Sequence, residues 1–296
     1  MAIRRILCLV DGHGKERGGG AGDGDAVLPT AMKAARAHGA FLDVLHVALS
    51  PQDAIPVAAD GMTATMVEDI MASVADDSRQ RAQRAETAFH RAAAEVDMPV
   101  LAAESGGPEG VAASFRVVEG REPQVVANQG LLYDLIVLGR RHGAGEPPAT
   151  PTLEAAVMET GRPVLVAPPE VPATIGRRAA VAWRATVPGA HALQGALPIL
   201  QVAEEVKVIT VEESGAKAVP DDVVRYLAYH DVRGSAATVS AHGREAGQAI
   251  LEAASQSGAD LLVMGAYAHS RLRQLILGGV TATVLRSASL PLLLAH

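Results

Sequence analysis

The chain contains the same succession of short motifs twice. A Gly-Arg-Glu triplet stands at residues 120–122 and again at 243–245. After a helical stretch come DLIVLG at residues 134–139 and DLLVMG at residues 260–265. Each copy closes on a Pro-led apolar segment, PVLVA at residues 163–167 and PLLLA at residues 291–295. Solenoid repeats are about 20 to 50 residues long, so a repeat of this length indicates a duplicated domain.

The chain length and a proline-rich segment near the middle of the chain support the same division into two domains. A chain of 296 residues is long enough for about two domains of roughly 150 residues each. The segment PPEVP at residues 168–172 holds three prolines, which can continue neither a helix nor a central strand. We therefore predict one domain over residues 1–168 and a second over residues 177–296, with the break between Ala167 and Arg178.

Each half alternates apolar strands with helical patterns through five strands. Apolar residues are 49% of the chain and aromatic residues only 3%, so the cores are aliphatic, as suits parallel strands covered by helices on both faces. The predicted fold class is α/β, with two tandem doubly wound parallel five-stranded sheets. A helix is predicted over residues 63–96, and an insertion over residues 100–110. Ligands of such sheets bind beyond the carboxyl ends of the strands, which in the second half means after Val181, Ile209 and Met264.

Composition excludes several classes of protein. The net charge of −7 argues against a general nucleic-acid binder, which carries a basic patch. Cys8 is the single cysteine, so no disulfide forms within the chain, and its apolar surroundings predict a buried, inert thiol. No stretch reaches the roughly 20 apolar residues of a membrane helix, and the start of the chain lacks the pattern of a signal peptide. We expect a cytoplasmic protein.

The two copies differ where a ligand would sit. Gly265 directly follows a strand, where a missing Cβ lets a ligand approach the backbone. The pair Gly278-Gly279 precedes a helix predicted to start near Thr281, and free N–H groups at a helix start form an anion site. Arg271 adds positive charge nearby. Together these residues suit a phosphate chain lying across the strand ends.

These segments resemble the universal stress protein family. The resemblance rests on residues 263–271 with the Gly278-Gly279-Val280-Thr281 run, on Val181-Ala182-Trp183, and on the tail at residues 290–296, and it extends to both halves. Nucleotide-binding members carry Gly, two residues, Gly, nine residues, Gly, and then Ser or Thr. This chain has Gly265, Ala268, Gly278 and Gly279 at those positions, so the spacing is kept while Ala268 and Gly279 depart from the pattern.

The resemblance implies an adenine nucleotide alpha hydrolase-like fold and an adenine-nucleotide site in the second half. ATP, ADP or AMP would be the ligand, with no metal required. The residues implied are Ala182, Trp183, Val211, Met264, Gly265, His269, Arg271, Gly278, Gly279, Val280 and Thr281. His269 is alternatively a polar loop histidine, and Trp183 is alternatively a core residue rather than a ring that stacks on the base.

The first half is expected to have lost the site. Glu146 with Pro147 and Pro148 stands where the second half approaches its glycine pair, and this replaces N–H donors with a repulsive charge. In the family an acidic or amide residue ends the first strand. Asp11 holds that position in the first half, whereas Arg184 holds it in the second.

No pattern in the chain nominates a nucleophile with an adjacent base. We therefore expect a stress-response protein that binds nucleotide for sensing or protection without turnover. The alternatives are a slow ATP hydrolase or a nucleotidyl-transferring domain on the same fold, and a scaffold that binds no nucleotide. The halves are expected to pack as an intramolecular pseudo-dimer through their closing strands, with a further homodimer as an additional option.

Overall fold

The computed structural model describes residues 2–12, 26–54, 63–102, 110–140, 150–212, 220–241, 243–267 and 279–296. In the first half, the elements are β1 (Arg5–Val10), α1 (Val27–His38), β2 (Phe41–Ala48), α2 (Ala64–Glu95), β3 (Ala113–Glu119), α3 (Glu122–Gln129), β4 (Leu135–Leu138), α4 (Pro151–Glu159) and β5 (Val164–Val166). Two short 3-10 helices lie at Pro51–Ala54 and Gly130–Leu132.

The second half repeats this alternation. Its elements are β6 (Arg178–Ala182), α5 (Val187–Leu200), β7 (Glu205–Val211), α6 (Pro220–Ala228), β8 (Gly234–Val239), α7 (Ala246–Gln256), β9 (Leu261–Gly265), α8 (Gly279–Ser287) and β10 (Leu292–Ala295). No helix within the described ranges is long and apolar enough to cross a membrane.

The ten strands within the described ranges form one sheet in the order β3-β2-β1-β4-β5-β10-β9-β6-β7-β8. Pairing is parallel within each half. The closing strands β5 and β10 pair antiparallel, with Leu293 opposite Leu165. The predicted α/β fold with two five-stranded parallel arrays is therefore confirmed, and the two arrays are continuous with each other.

Helices cover both faces of this sheet. One hydrophobic cluster packs residues of α1, α2, α5 and α6 against the sheet, and a second packs residues of α3, α4, α7 and α8 against the opposite face. Both clusters contain residues of both halves. The aliphatic composition explains this arrangement, because strands buried on both faces need apolar side chains at successive positions.

The aspartate that opens the DLIVLG and DLLVMG motifs makes equivalent hydrogen bonds in the two halves. Asp134 Oδ2 accepts hydrogen bonds from the backbone nitrogens of Arg4 and Arg5, at 2.8 and 2.9 Å. Asp260 accepts them from the backbone nitrogens of Arg177 and Arg178, at 3.2 and 2.9 Å. Each carboxylate thus ties the start of the first strand in its half to the start of the fourth.

The repeated glutamate likewise joins the same pair of helices in each half. Glu122, the first residue of α3, accepts a hydrogen bond from Thr152 of α4 at 2.8 Å. Glu245, which precedes α7, accepts one from Thr283 of α8. A hydrogen bond to a charged acceptor contributes about 1.5–3 kcal/mol. The two motifs most visible in the sequence therefore have a structural explanation.

Two boundaries differ from the sequence-based expectation. Helix α8 includes Gly279, two residues before the predicted start, so Gly279 is a helical residue. Val100, which was predicted to lie in an insertion, forms a parallel bridge with Ala113 beside β3. The long helix predicted over residues 63–96 is confirmed as α2, and the Thr63 side chain caps it by accepting from the Met66 nitrogen.

Candidate functional site at the carboxyl ends of β6 and β9

Strand β6 lies where the winding of the second half reverses. The chain leaves β6 through α5 to its neighbour β7, and it returns from β8 through α7 to β9 on the other side of β6. Helices that leave a parallel sheet in opposite directions open a crevice at the carboxyl ends of the strands between them. In the second half, this crevice is at the ends of β6 and β9.

The sheet brings together several of the residues that the sequence predicted for the site. Ala182 pairs with Met264 of β9 on one side and with Ile209 of β7 on the other. Gly265 lies one residue past Met264 and pairs with Ala295. Val211 lies two residues past Ile209, so it extends beyond the end of β6.

These residues divide between the two faces of the sheet. Ala182, Val211, Met264 and Val280 belong to the cluster under α7 and α8. Trp183 packs against the cluster on the opposite face, to which α5 contributes. Successive side chains of a strand alternate between faces, so the Trp183 ring lies on the other side of the sheet from Ala182. Of the two readings of Trp183 from sequence, its packing favours the core residue.

Gly265 lacks a side chain because a helix approaches it. A Cβ at Gly265 would lie 2.5 Å from the Gly189 nitrogen and 2.6 Å from the Pro188 carbonyl carbon, in the first turn of α5. A Cβ at Gly189 would in turn lie 2.4 Å from the Arg184 carbonyl oxygen. The sequence attributed Gly265 to a close approach by ligand, but what approaches it is the backbone of α5. Gly189 was missed, and its only signal was a Pro-Gly pair at a helix start.

Gly279, in α8, is not packed against other described residues. A Cβ at Gly279 would meet no described heavy atom within 4 Å, and Gly279 is exposed. Val280 and Thr281 follow it in the first turn, and Thr281 is buried. The first N–H groups of a helix have no partners within the helix and carry partial positive charge. The first turn of α8 can therefore receive an anion.

Part of the predicted site lies outside the described residues, namely Ala268, His269, Arg271 and Gly278. Arg184 is described and exposed. Ile6 and Ala179 hold equivalent positions, because they pair with Leu135 and Leu261 of the repeated motif. Asp11 lies five residues after Ile6, and Arg184 lies five residues after Ala179. Arg184 is therefore the counterpart of Asp11, as the sequence indicated.

Two histidines hold the segment that follows β9. His296 Nδ1 donates to the Ala266 carbonyl oxygen at 3.1 Å, and His191 Nδ1 of α5 donates to the His296 oxygen at 2.7 Å. Tyr267 comes next, with a φ of 62°, and it is buried. Burial, together with the negative charge of Glu154, raises the pKa of Tyr267 well above its ordinary value. Sequence reasoning assigned no role to these residues, because their contacts join positions that are far apart in the sequence.

No cluster of three or more His, Cys, Asp or Glu side chains is arranged to hold a metal ion in the part of the chain that the structure describes. The groups that this crevice offers to a ligand are therefore backbone N–H groups near the start of α8, the exposed Arg184, and an apolar floor formed by Ala182, Val211 and Met264. Such groups bind and orient an anionic ligand. The described ones do not supply a base beside a nucleophile.

Strand order, winding on both faces and a crevice at the switch point define a doubly wound parallel α/β protein. The universal stress protein family model matches residues 177–296. Universal stress protein Slr1230 of Synechocystis sp. is 48% identical over 46 residues, which are 16% of this chain and 16% of that relative. The match thus spans about a sixth of that curated relative's length.

Two solved structures are similar over nearly the whole chain. A universal stress protein from Archaeoglobus fulgidus has a TM-score of 0.65 at 17% identity and covers 98% of this chain and 95% of its own. A putative universal stress protein from Pseudomonas aeruginosa has a TM-score of 0.56 at 18% identity and covers 99% and 93%. At these identities the likeness shows the fold. Residues 177–296 therefore resemble the universal stress protein family, and the whole chain shares the fold of these two structures.

Proposed function

We propose that the second half binds an adenine nucleotide, ATP, ADP or AMP, at the carboxyl ends of β6 and β9. The observation that carries the proposal is the first turn of α8. Gly279 is exposed, and α8 follows β9 at the switch point of the sheet, so N–H groups near its start are placed to receive the phosphates. The phosphates would lie at this turn, and the apolar floor of Ala182, Val211 and Met264 would support the nucleoside.

The departures from the family pattern bear on affinity. Arg184 stands where Asp11 stands in the first half, so the second half has a cation in place of a carboxylate near the nucleoside end of the site. A guanidinium suits phosphate better than it suits the hydroxyls or amine of a nucleoside. We therefore expect weak or selective binding, and AMP or ADP is as good a candidate as ATP.

Binding rather than turnover is the proposed activity, and it would serve ligand sensing or protection. Among the described residues, the crevice offers positioned N–H groups and a cation, whereas hydrolysis of ATP would also need a base or a metal ion to activate water. The test is phosphate release from ATP and Mg²⁺ by the pure protein. Sustained turnover of about 1 per second or faster, as is common for enzymes, would favour the ATP hydrolase instead.

Paired substitutions at Gly279 separate binding from folding. Gly279→Asp places a negative charge at the first position of α8, where it stabilises the helix and repels a phosphate. Gly279→Asn adds almost the same volume without the charge. We expect calorimetry on the full chain to show lost nucleotide binding in Gly279→Asp, weaker effects in Gly279→Asn, and undiminished thermal stability in both. Unchanged nucleotide affinity in Gly279→Asp would place the site elsewhere.

The ligand itself can be identified without prior choice. Mass spectrometry of small molecules released from the purified protein on denaturation should reveal an adenine nucleotide. Release of no nucleotide, together with no calorimetric response to ATP, ADP or AMP, would favour the scaffold.

We also infer that the two halves form an intramolecular pseudo-dimer in the cytoplasm. The antiparallel pairing of β5 with β10 relates the halves approximately as two-fold symmetry would. Sedimentation of the full chain tests whether two such chains associate further.

A further inference from the structure

Besides the crevice in the second half, a cavity lies in the first half, at the carboxyl ends of β1, β2 and β3. Its volume is about 380 Å³, and it is lined by Asp11, His46, Val47, Leu49, Val74, Asp77, Ser78, Arg81, Gly120 and Glu122. Cavities that take small molecules begin at about 300 Å³. This volume is therefore sufficient for a small metabolite.

One face of α2 forms a wall of the cavity. Val74, Asp77, Ser78 and Arg81 are spaced three and four residues apart, which places them on one side of a helix. A close contact holds α2 in place, because a Cβ at Gly12 would lie 2.3 Å from the Arg81 carbonyl oxygen. The wall is thus fixed against the end of β1.

The polar lining is rich in hydrogen-bond acceptors. Asp11, Asp77 and Glu122 supply three carboxylates, and Arg81 supplies one guanidinium, which pairs with Asp77 at 2.7 Å. One oxygen of Glu122 accepts from Thr152. Three carboxylates face one guanidinium in the lining, and Arg84 lies beside it with its Nε 3.1 Å from the Gly12 carbonyl oxygen. Carboxylates still outnumber cations there, which disfavours phosphate.

His46 adds an independent indication. His46 is only 2% exposed, and its Nδ1 lies 2.9 Å from the Val10 carbonyl oxygen. A carbonyl oxygen accepts only, so Nδ1 carries the proton, and in the neutral ring Nε2 is an acceptor. No hydrogen bond to Nε2 is formed by any of the residues that the structure describes. His46 lines the cavity, so Nε2 is the acceptor that this residue can offer to a donor on a ligand there.

The second half does not repeat this chemistry. The strand registers make Thr210 the counterpart of His46 and Arg184 the counterpart of Asp11. Thr210 shares a hydrogen bond with Thr238 at 3.2 Å. The carboxylate of Asp11 and the imidazole of His46 thus occur in the first half alone, whereas Glu122 has a counterpart in Glu245.

We propose that this cavity, in the half opposite the proposed nucleotide site, binds a small aliphatic amine in its protonated form. Ammonium groups donate to the carboxylates and to His46 Nε2. The aliphatic chain between them packs against Val47, Leu49 and Val74. A divalent metal ion fits less well, because the described carboxylates and histidine do not converge into a metal-binding cluster.

Calorimetry on the full chain with spermidine tests this proposal, with 1,8-octanediol as a neutral probe of similar length. We expect saturable binding of spermidine and none of the diol. Asp77→Asn and Glu122→Gln should each weaken spermidine binding about three- to fivefold, as is usual for partly exposed charged pairs. Asp76→Asn is the matched control, because it removes the same charge from the next position of α2, away from the cavity, and it should leave the affinity unchanged.

A second variant tests the volume rather than the charge. Ser78→Phe fills the cavity from α2 without changing the net charge, and it should abolish spermidine binding while circular dichroism and thermal unfolding confirm the fold. Gly279→Asp should bind spermidine as the parent protein does, so a failure of the nucleotide proposal is distinguishable from a failure of this one. No saturable binding of spermidine, equal binding of the diol, or equal losses in Asp76→Asn and Asp77→Asn would overturn the proposal.

Discussion

Arg140 donates a hydrogen bond to the main-chain carbonyl oxygen of Leu285 over 2.7 Å, and so joins the end of β4 in the first half to α8 in the second. Its second terminal nitrogen donates to the carbonyl oxygen of Ala288. Arg140 is only 4% exposed. The last carbonyls of a helix have no partners within it and carry partial negative charge, so a guanidinium there both satisfies and neutralises them.

Replacement of Arg140 by alanine should therefore destabilise the whole protein. We expect Arg140→Ala to lower the free energy of unfolding by about 3 kcal/mol, since buried carbonyl groups lose charged donors. Arg162→Ala is the matched control, because Arg162 also donates twice to one main-chain carbonyl, that of Leu131, but in an exposed position within one half. Denaturant unfolding followed by circular dichroism measures both, and equal losses would contradict a special role for the contact between halves.

Gly265 and Gly279 should respond in opposite ways to alanine. Gly265→Ala places a Cβ 2.5 Å from the Gly189 nitrogen, and the forced shift of α5 should cost about 1–3 kcal/mol of stability. Gly279→Ala adds a methyl group where no described heavy atom lies within 4 Å, and stability should be unchanged or slightly higher. Thermal unfolding of the two variants decides this, and tolerance of alanine at Gly265 would mean that α5 does not require the glycine.

Tyr267 should make stability fall in alkaline solution. Burial and the Glu154 carboxylate raise its pKa above the ordinary 10.0, so the unfolded tyrosine ionises first. The contribution of Tyr267 is fully present below pH about 10 and is lost as the pH rises toward the folded pKa. Tyr267→Phe should flatten the loss of Tm above pH about 10, whatever its effect at neutral pH.

Tyr229→Phe provides the comparison for that measurement, because Tyr229 is 82% exposed. The alkaline profile of Tyr229→Phe should follow that of the parent protein. An alkaline profile of Tyr267→Phe that is as steep as the parent's would show that other groups cause the loss.

The Cys8 thiol should not react with thiol reagents in the folded protein. It is fully buried in the middle of β1, and burial raises the pKa of its thiol far above the ordinary value of 9.0. Only the thiolate is a good nucleophile. We expect no labelling by a thiol reagent such as 5,5′-dithiobis(2-nitrobenzoic acid) under native conditions and one thiol per chain in denaturant. Rapid labelling of the native protein would reveal frequent opening of β1.

Local sequence patterns predicted the elements of this fold well. The five-strand alternation in each half and helix α2 follow from apolar periodicity and capping residues, which act over a few positions. Gly279 was predicted to precede α8 but lies within it, because glycine discourages a helix in isolation whereas α8 packs against α7. The close approach of α7 and α8 is visible at Gly247, where a Cβ would lie 2.8 Å from the Thr283 Cβ.

The candidate site was predictable only in outline. Parallel winding implied a crevice at the ends of β6 and β9, and the register brings Ala182 beside Met264 there. The reason for Gly265 was not predictable, because the atoms that need the space belong to α5. The face on which Trp183 packs and the cavity beside His46 were missed for the same reason.

By itself, the sequence determined which segments become strands and helices, that the plan occurs twice, and that Asp134 and Asp260 stand at equivalent places. Those properties depend on side chains a few residues apart and on a repeated order along the chain. Only the tertiary structure decided the antiparallel register in which β5 pairs with β10, that Arg140 reaches α8, and that Asp11 shares a cavity with Glu122. Each of these contacts joins residues more than 100 positions apart, and such contacts arise from the packing of complementary surfaces, which no local pattern encodes.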